Sequence, residues 1–197
     1  MFIALEALDG VGKTTLAGDL AARLGGVSMD TPGPELRPLR TEVLTALGLH
    51  QAARCLFYAA SVLVAGERAR AVVDGGSTVV MDRYWLSTIC YARARGVELE
   101  VAAIEAAVPA PDVTVLVTLD EAARQRRLHD RGYTDADRET LVSSFRERVL
   151  LEMTSADRAP HLRPTVVVDV TGADREAATE RVVRGLLAAG LLQPRRH

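Results

Sequence analysis

Asp9-Gly10-Val11-Gly12-Lys13-Thr14-Thr15 holds the chain's single lysine, and its residue types are those that bind phosphate. Lysine and arginine together number 24, so every other member of that set is an arginine. A compact ammonium on a flexible stem fits between phosphate oxygens where a planar guanidinium does not. Glycines let the backbone turn tightly, and a helix that starts there aims its first N–H groups and positive dipole end at one anion. The apolar run Phe2-Ile3-Ala4-Leu5 comes before this turn and a helical pattern follows it, which is the strand–turn–helix order of a P-loop. On this reading Gly10, Val11, Gly12, Lys13, Thr14 and Thr15 cradle the phosphates of ATP. Lys13 reaches the β- and γ-phosphates, and the Thr14 hydroxyl can ligate Mg²⁺. A lysine at an ordinary helix start is the plain alternative. The usual pattern opens with glycine where this chain has Ala7, a methyl that is tolerable if the local φ is negative.

A second constellation begins where Val79-Val80-Met81 ends in Asp82. A carboxylate at that strand end can hold Mg²⁺ opposite a P-loop, although a solvated strand-end acid gives the same pattern. Arg83 follows at once and can clamp an anionic acceptor with two parallel hydrogen bonds. Thr88 and Tyr91, three apart on the next helical segment, share one face.

These residues need a scaffold. Five β-type runs, Phe2–Leu5, Gly26–Met29, Thr78–Met81, Val113–Leu119 and Thr165–Asp169, alternate with helical patterns. That alternation predicts an α/β fold of three layers, a five-stranded parallel sheet covered on both faces. The first helix should run from the P-loop to about Leu24 and stop at Gly25-Gly26. Further helices are predicted over Leu36–Leu47, Gln51–Val73, Leu86–Arg95, Glu98–Val108, Asp120–Arg131, Glu139–Asp157 and Asp174–Ala189. Thr31–Pro34 and Gly132–Asp137 read as loops, and Gln193–His197 as a frayed tail. No linker divides residues 1–197, so a single domain is expected.

Composition narrows the function classes. A net charge of −2 points to neither nucleic acid nor an anionic membrane surface as partner. No apolar stretch approaches the roughly 20 residues that span a bilayer. Cys55 and Cys90 sit in apolar helical segments and read as reduced core residues, which fits a cytoplasmic protein. The N-terminus enters a strand almost at once, so no signal peptide is expected. The four histidines suggest neither a ligand cluster nor a triad.

Glu6-Ala7-Leu8-Asp9-Gly10-Val11-Gly12-Lys13-Thr14 and Asp82-Arg83-Tyr84-Trp85-Leu86-Ser87-Thr88-Ile89-Cys90-Tyr91 together resemble the motifs of the thymidylate kinase family. The likeness extends to Leu56–Ala60, Pro111-Asp112, Arg127 and Arg131-Gly132. It implies a P-loop NTPase fold with a short lid over about 131–139. It also implies transfer of a phosphoryl group from ATP, with Mg²⁺, to a nucleoside 5′-monophosphate, dTMP being the expected acceptor. By the same resemblance Arg83 would hold the acceptor phosphate and Asp9 the 3′-hydroxyl. Phe57 would stack on the base, Thr88 would bond its edge, and Tyr91 would crowd the 2′ position. Arg127, Arg131 and Arg138 would serve the lid, and the protein would pair as a homodimer. Read without the family, Phe57 and Tyr91 also suit a buried core, and Arg124, Arg127 and Arg131 a solvated basic face.

Two departures bear on the substrate. Ser61 stands where the family places a base-contacting arginine. Met29-Asp30-Thr31-Pro32-Gly33-Pro34 replaces an arginine-bearing segment beside the acceptor. A lost charge-assisted hydrogen bond costs about 1.5–3 kcal/mol, so the base is less firmly specified than the reaction. One rival is a kinase for another or modified nucleoside monophosphate. Asp30 keeps open a second, a kinase acting on a nucleoside or small-molecule hydroxyl. A nucleotide-binding switch or lapsed kinase is the third, although Lys13, Arg83 and Asp9 are all retained.

Overall fold

The computed structural model describes residues 1–155 and 164–193. Strand β1 (Phe2–Glu6) is buried along its whole length, because it lies in the middle of the sheet with helices on both sides. It is flanked by β3 (Val79–Asp82) and β4 (Val113–Thr118), while β2 (Val27–Asp30) and β5 (Val166–Asp169) form the edges. All pairings are parallel in the order β2-β3-β1-β4-β5. The predicted α/β fold is therefore observed, and each strand lies within one residue of its expected bounds.

Parallel strands must be joined by crossovers, and the helices supply them. Helix α1 (Lys13–Leu24) packs with α9 (Arg175–Ala188), the pair lying on β3 and β5 respectively. Helices α3 (Gln51–Asp74), α4 (Trp85–Ala94) and α8 (Ser143–Thr154) form a second packed set, α3 against β3 and β1. Helix α1 ends as expected, with Gly25 in the left-handed region closing its last turn.

Several helices differ from expectation. Helix α2 covers only Arg40–Ala46, with turns before it where Pro38 disfavours helical geometry in its predecessor. Helix α5 is shortened to Ala102–Ala107. The expected loop after α6 (Glu121–Arg131) contains a further helix, α7 (Asp135–Leu141). Thr134 and Asp137 cap it reciprocally, and Thr-x-x-Asp is a capping-box signal that was legible in the sequence. Val142 then takes an extended conformation and separates α7 from α8, so the single helix expected from Glu139 is two. The end of that expected helix at Asp157, and the tail beyond Gln193, lie outside the described residues.

Carboxyl-terminal strand ends collect the residues singled out above. Leu5 pairs in register with Asp82 and with Val115, and Asp30 pairs with Asp82. Open parallel sheets bind ligands at this end, where neighbouring loops diverge.

Candidate functional site

The turn between β1 and α1 is shaped by Gly10 and Gly12, with φ of 86° and 97°. A Cβ on Gly10 would lie 2.6 Å from Leu128 Cγ, so α6 presses too closely for any side chain there. Among the described residues Arg83 alone combines a side chain with positive φ, so Ala7 meets the condition set for its methyl; it is buried in the core. The first helical bond of this turn runs from Leu16 N–H to Gly12 O at 3.1 Å, and no side chain caps Gly12. The N–H groups of Lys13, Thr14 and Thr15 therefore precede the helical ladder. Thr14 and Thr15 are exposed at its mouth.

Lys13 is folded into the loop, its Nζ donating to Leu8 O at 2.8 Å. Burial, then the Arg83 cation, lower its pKa to about 8, against the pull of Asp9, Asp82 and Glu6. Thr14 Oγ1 donates to Asp82 Oδ2 at 2.5 Å, while Asp82 Oδ1 is buried with no hydrogen-bond partner. A hydroxyl oxygen and an under-coordinated carboxylate at one strand end form a hard oxygen donor set, which suits Mg²⁺. Among the described residues no group of three or more His, Cys, Asp and Glu side chains could hold a metal by itself. The remaining ligands would have to come from water and phosphate.

Arg83 stands across the crevice with φ 66°. Its N–H donates to Leu5 O at 3.0 Å, and its carbonyl accepts from Thr31 Oγ1 at 3.2 Å. The guanidinium pairs with Asp9 and donates to Ser87 Oγ at 3.3 Å. Tyr91 Oη donates to the other Asp9 oxygen at 3.2 Å. Burial alone would raise the Asp9 pKa, but Arg83 and Lys13 hold it at about 2. Asp9 thus stays anionic between two cations, one on the phosphate loop and one on the β3–α4 turn.

Tyr91 has its ring buried in the core, as the core reading allowed, and its hydroxyl emerges at Asp9. Arg83 and Arg95 lie over the ring at 5.6 and 5.5 Å. Phe57 is only partly buried, edge-on to Tyr58, so it is not the core residue that its helix face allowed. Thr88 Oγ1 donates to Tyr84 O at 3.0 Å. Ser61 departs from expectation: it is fully buried, and its hydroxyl donates to Tyr58 O at 2.7 Å within its own helix. The structure does not bring it to the open side of the crevice. Asp30 is tied to Arg37 on the rim of a cavity of about 640 Å³ that also takes in Met29 and Arg68.

The arginines of α6 do not form one solvated face. Arg124 is fully buried, bound by both oxygens of Glu121, by Asp9 O at 2.8 Å and by Thr140 O at 2.8 Å. Arg127 donates to Val11 O at 2.7 Å, so it docks on the phosphate loop itself. Arg131 is half exposed and reaches Asp137 at 2.6 Å, and Arg138 is exposed on α7. Arg124 was missed because its spacing fits a basic stripe; the clue was Leu128 one turn on, buried on the same side. Glu6 was also missed as a functional residue. It is an acid at the end of a wholly buried strand, where burial pushes its pKa up against the pull of Ser87, Arg83 and Lys13, and such a group needs internal partners.

Comparison with known proteins follows the same lines. A family model described as thymidylate kinase matches residues 5–162. The chain is 31% identical over 163 residues to a thymidylate kinase of Xylella fastidiosa (strain 9a5c), covering 75% of each chain. It is 32% identical over 212 residues to that of Clavibacter michiganensis subsp. michiganensis (strain NCPPB 382), covering 96% of this chain and 97% of the relative. The solved thymidylate kinase of Candida albicans superposes with a TM-score of 0.72 at 21% identity, covering 96% of this chain and 92% of that one. That of Ehrlichia chaffeensis gives 0.66 at 22% identity, covering 94% and 98%.

Proposed function

This chain belongs to the thymidylate kinase family, and from that premise we propose that it phosphorylates dTMP to dTDP at the expense of ATP. The observation that carries the reading is the arrangement of Lys13, Asp9 and Arg83, in which one carboxylate held at a pKa of about 2 spans a donor-side and an acceptor-side cation.

The reaction breaks the bond between the γ-phosphorus of ATP and its bridging oxygen and forms one to a 5′-phosphate oxygen of the acceptor. ADP takes the electron pair of the broken bond. The attacking oxygen is already anionic near neutral pH, so no side chain has to remove a proton. What remains for the protein is alignment and charge neutralisation.

Arg83 binds the acceptor phosphate through its guanidinium, and Asp9 keeps that group oriented while accepting from the sugar hydroxyl. Phe57, partly open, offers a face to the base. Lys13 leaves Leu8 O for the β- and γ-phosphates, whose negative charge favours its protonated form. The first amides of α1 bind the same oxygens. Asp82 and Thr14 would hold Mg²⁺, which when bound neutralises charge shared between the β- and γ-phosphates. Arg131 and Arg138 belong to a lid built on α7 and its approach, within one domain. Arg127 braces the loop through Val11 O. The enzyme works in the cytoplasm as a homodimer.

Nucleoside monophosphates offered singly with ATP and Mg²⁺, with ADP release as the readout, test this directly. The dTMP rate should exceed those of dUMP, dCMP, dGMP, dAMP and the ribose forms, and thymidine itself should not react. Preference for another monophosphate would move the base assignment, because Ser61 is sealed inside α3 and gives thymine no charged contact. Turnover of thymidine but not dTMP would overturn the acceptor class.

A further inference from the structure

Glu6 ends β1 with no accessible surface, and no step of the transfer uses it. Both its oxygens are engaged by the β3–α4 turn. Oε1 accepts from the Tyr84 N–H at 3.0 Å, and Oε2 accepts from the Ser87 hydroxyl. Tyr84 is the N-cap residue of α4 and supplies no capping side chain of its own. A carboxylate from a neighbouring strand thus stands at that helix start, where the dipole favours negative charge. Ser87 Oγ, while donating to Glu6, accepts from Arg83 Nη1 at 3.3 Å. Arg83 is therefore gripped along a chain of contacts that begins at Glu6. Its own N–H is on Leu5 O, the next N–H is on Glu6, and its guanidinium touches the hydroxyl that Glu6 orients. This grip acts on a side-chain-bearing residue with φ 66°, a conformation that persists only where its surroundings impose it.

We propose that Glu6 is a positioning residue for phosphoryl transfer: through the Tyr84 N–H and the Ser87 hydroxyl it holds Arg83 in the left-handed turn that aims its guanidinium at the acceptor phosphate. The inference rests on the reading of Arg83 as the acceptor clamp. A carboxylate is required because both bonds arrive as donors, and a carboxylate is an acceptor only. An amide would set an N–H₂ against the Ser87 hydroxyl. Ser87 would then accept from it in competition with Arg83.

The test compares Glu6→Gln and Ser87→Ala with the unaltered enzyme, measuring KM for dTMP and for ATP separately and the thermal midpoint. Glu6→Gln should raise the dTMP KM by about tenfold or more, the loss of one or two charge-assisted bonds, with the ATP KM within about twofold. Ser87→Ala should move the same constant in the same direction by about threefold, since the Tyr84 bond remains. A buried acid that only supports the fold would lower the midpoint without separating the two constants. A dTMP KM unmoved in both variants, or dTMP and ATP constants rising together, overturns the proposal. If Glu6→Gln does not fold, Ser87→Ala decides by the same criterion. Arg83→Ala run alongside separates the two ideas: if it too leaves the dTMP KM unchanged, the acceptor assignment has failed and not merely its support.

Discussion

Replacing Arg83 in parallel by alanine and by glycine separates what its side chain does from what its backbone endures. Either change removes the guanidinium, and with it the ion pair to Asp9 and the bond to Ser87. Two charge-assisted hydrogen bonds to a 5′-phosphate are worth about 3–6 kcal/mol together, so kcat/KM for dTMP should fall by roughly 10²–10⁴ in both variants. The KM for ATP should hold steady. Stability should distinguish the pair. An alanine kept at the φ of 66° seen for Arg83 carries a left-handed penalty of about 1–2 kcal/mol, which glycine escapes. Glycine's greater freedom in the unfolded chain offsets about 0.4–1 kcal/mol of that advantage. Arg83→Gly should therefore be the more stable by about 0.5–1 kcal/mol, a difference of about 1–4 °C in melting temperature for a chain of this size. Calorimetry on the two variants, with initial rates over a grid of dTMP and ATP concentrations, measures both effects. If the alanine variant melts at or above the glycine variant, the turn does not impose the left-handed conformation. If the dTMP and ATP constants deteriorate together, Arg83 is not the acceptor clamp.

Lys13→Met probes the pH dependence of the ligand-free protein. The Lys13 pKa of about 8 lies below its ordinary 10.5, so between those values the unfolded chain holds a proton that the folded one has lost, and stability rises with pH. Urea unfolding of the two proteins should show wild type gaining about 3 kcal/mol on the variant between pH 8 and 10.5, with the deficit at full size below pH 8; a difference independent of pH would refute the burial argument. Arg124→Met should cost about 2–4 kcal/mol, because it takes the shared donor from Asp9 O and Thr140 O and unties the phosphate loop from α7, while Glu121 keeps Arg146 and Gln125. A melting temperature lowered by about 10 °C would bear this out, whereas an arginine on a solvated face would change it by only a degree or two.

Local signals carried the strands and the phosphate loop, since apolar runs and glycine turns depend on near neighbours. Contacts across the fold were not legible in the same way. Glu6 meets Ser87, 81 residues later, and Arg124 meets Asp9 O, 115 residues earlier. Neither partner can be read from spacing, so one residue passed as the opening letter of a motif and the other as part of a basic stripe. Ser61 failed differently. The motif located it on the right helix, but a hydroxyl that bonds to the carbonyl one turn back is removed from the ligand's reach. Helix α7 was the avoidable error, because Thr134 and Asp137 announce its start.

The solitary lysine has a practical consequence. Feeding isotope-labelled lysine to a growing culture would mark the phosphate loop and nothing else, because 23 of the other 23 members of the cationic set (24 less Lys13) are arginines. Its side-chain resonance would need no assignment. The proton count on that nitrogen, and whether it leaves Leu8 O when nucleotide is added, could be followed by titration in solution.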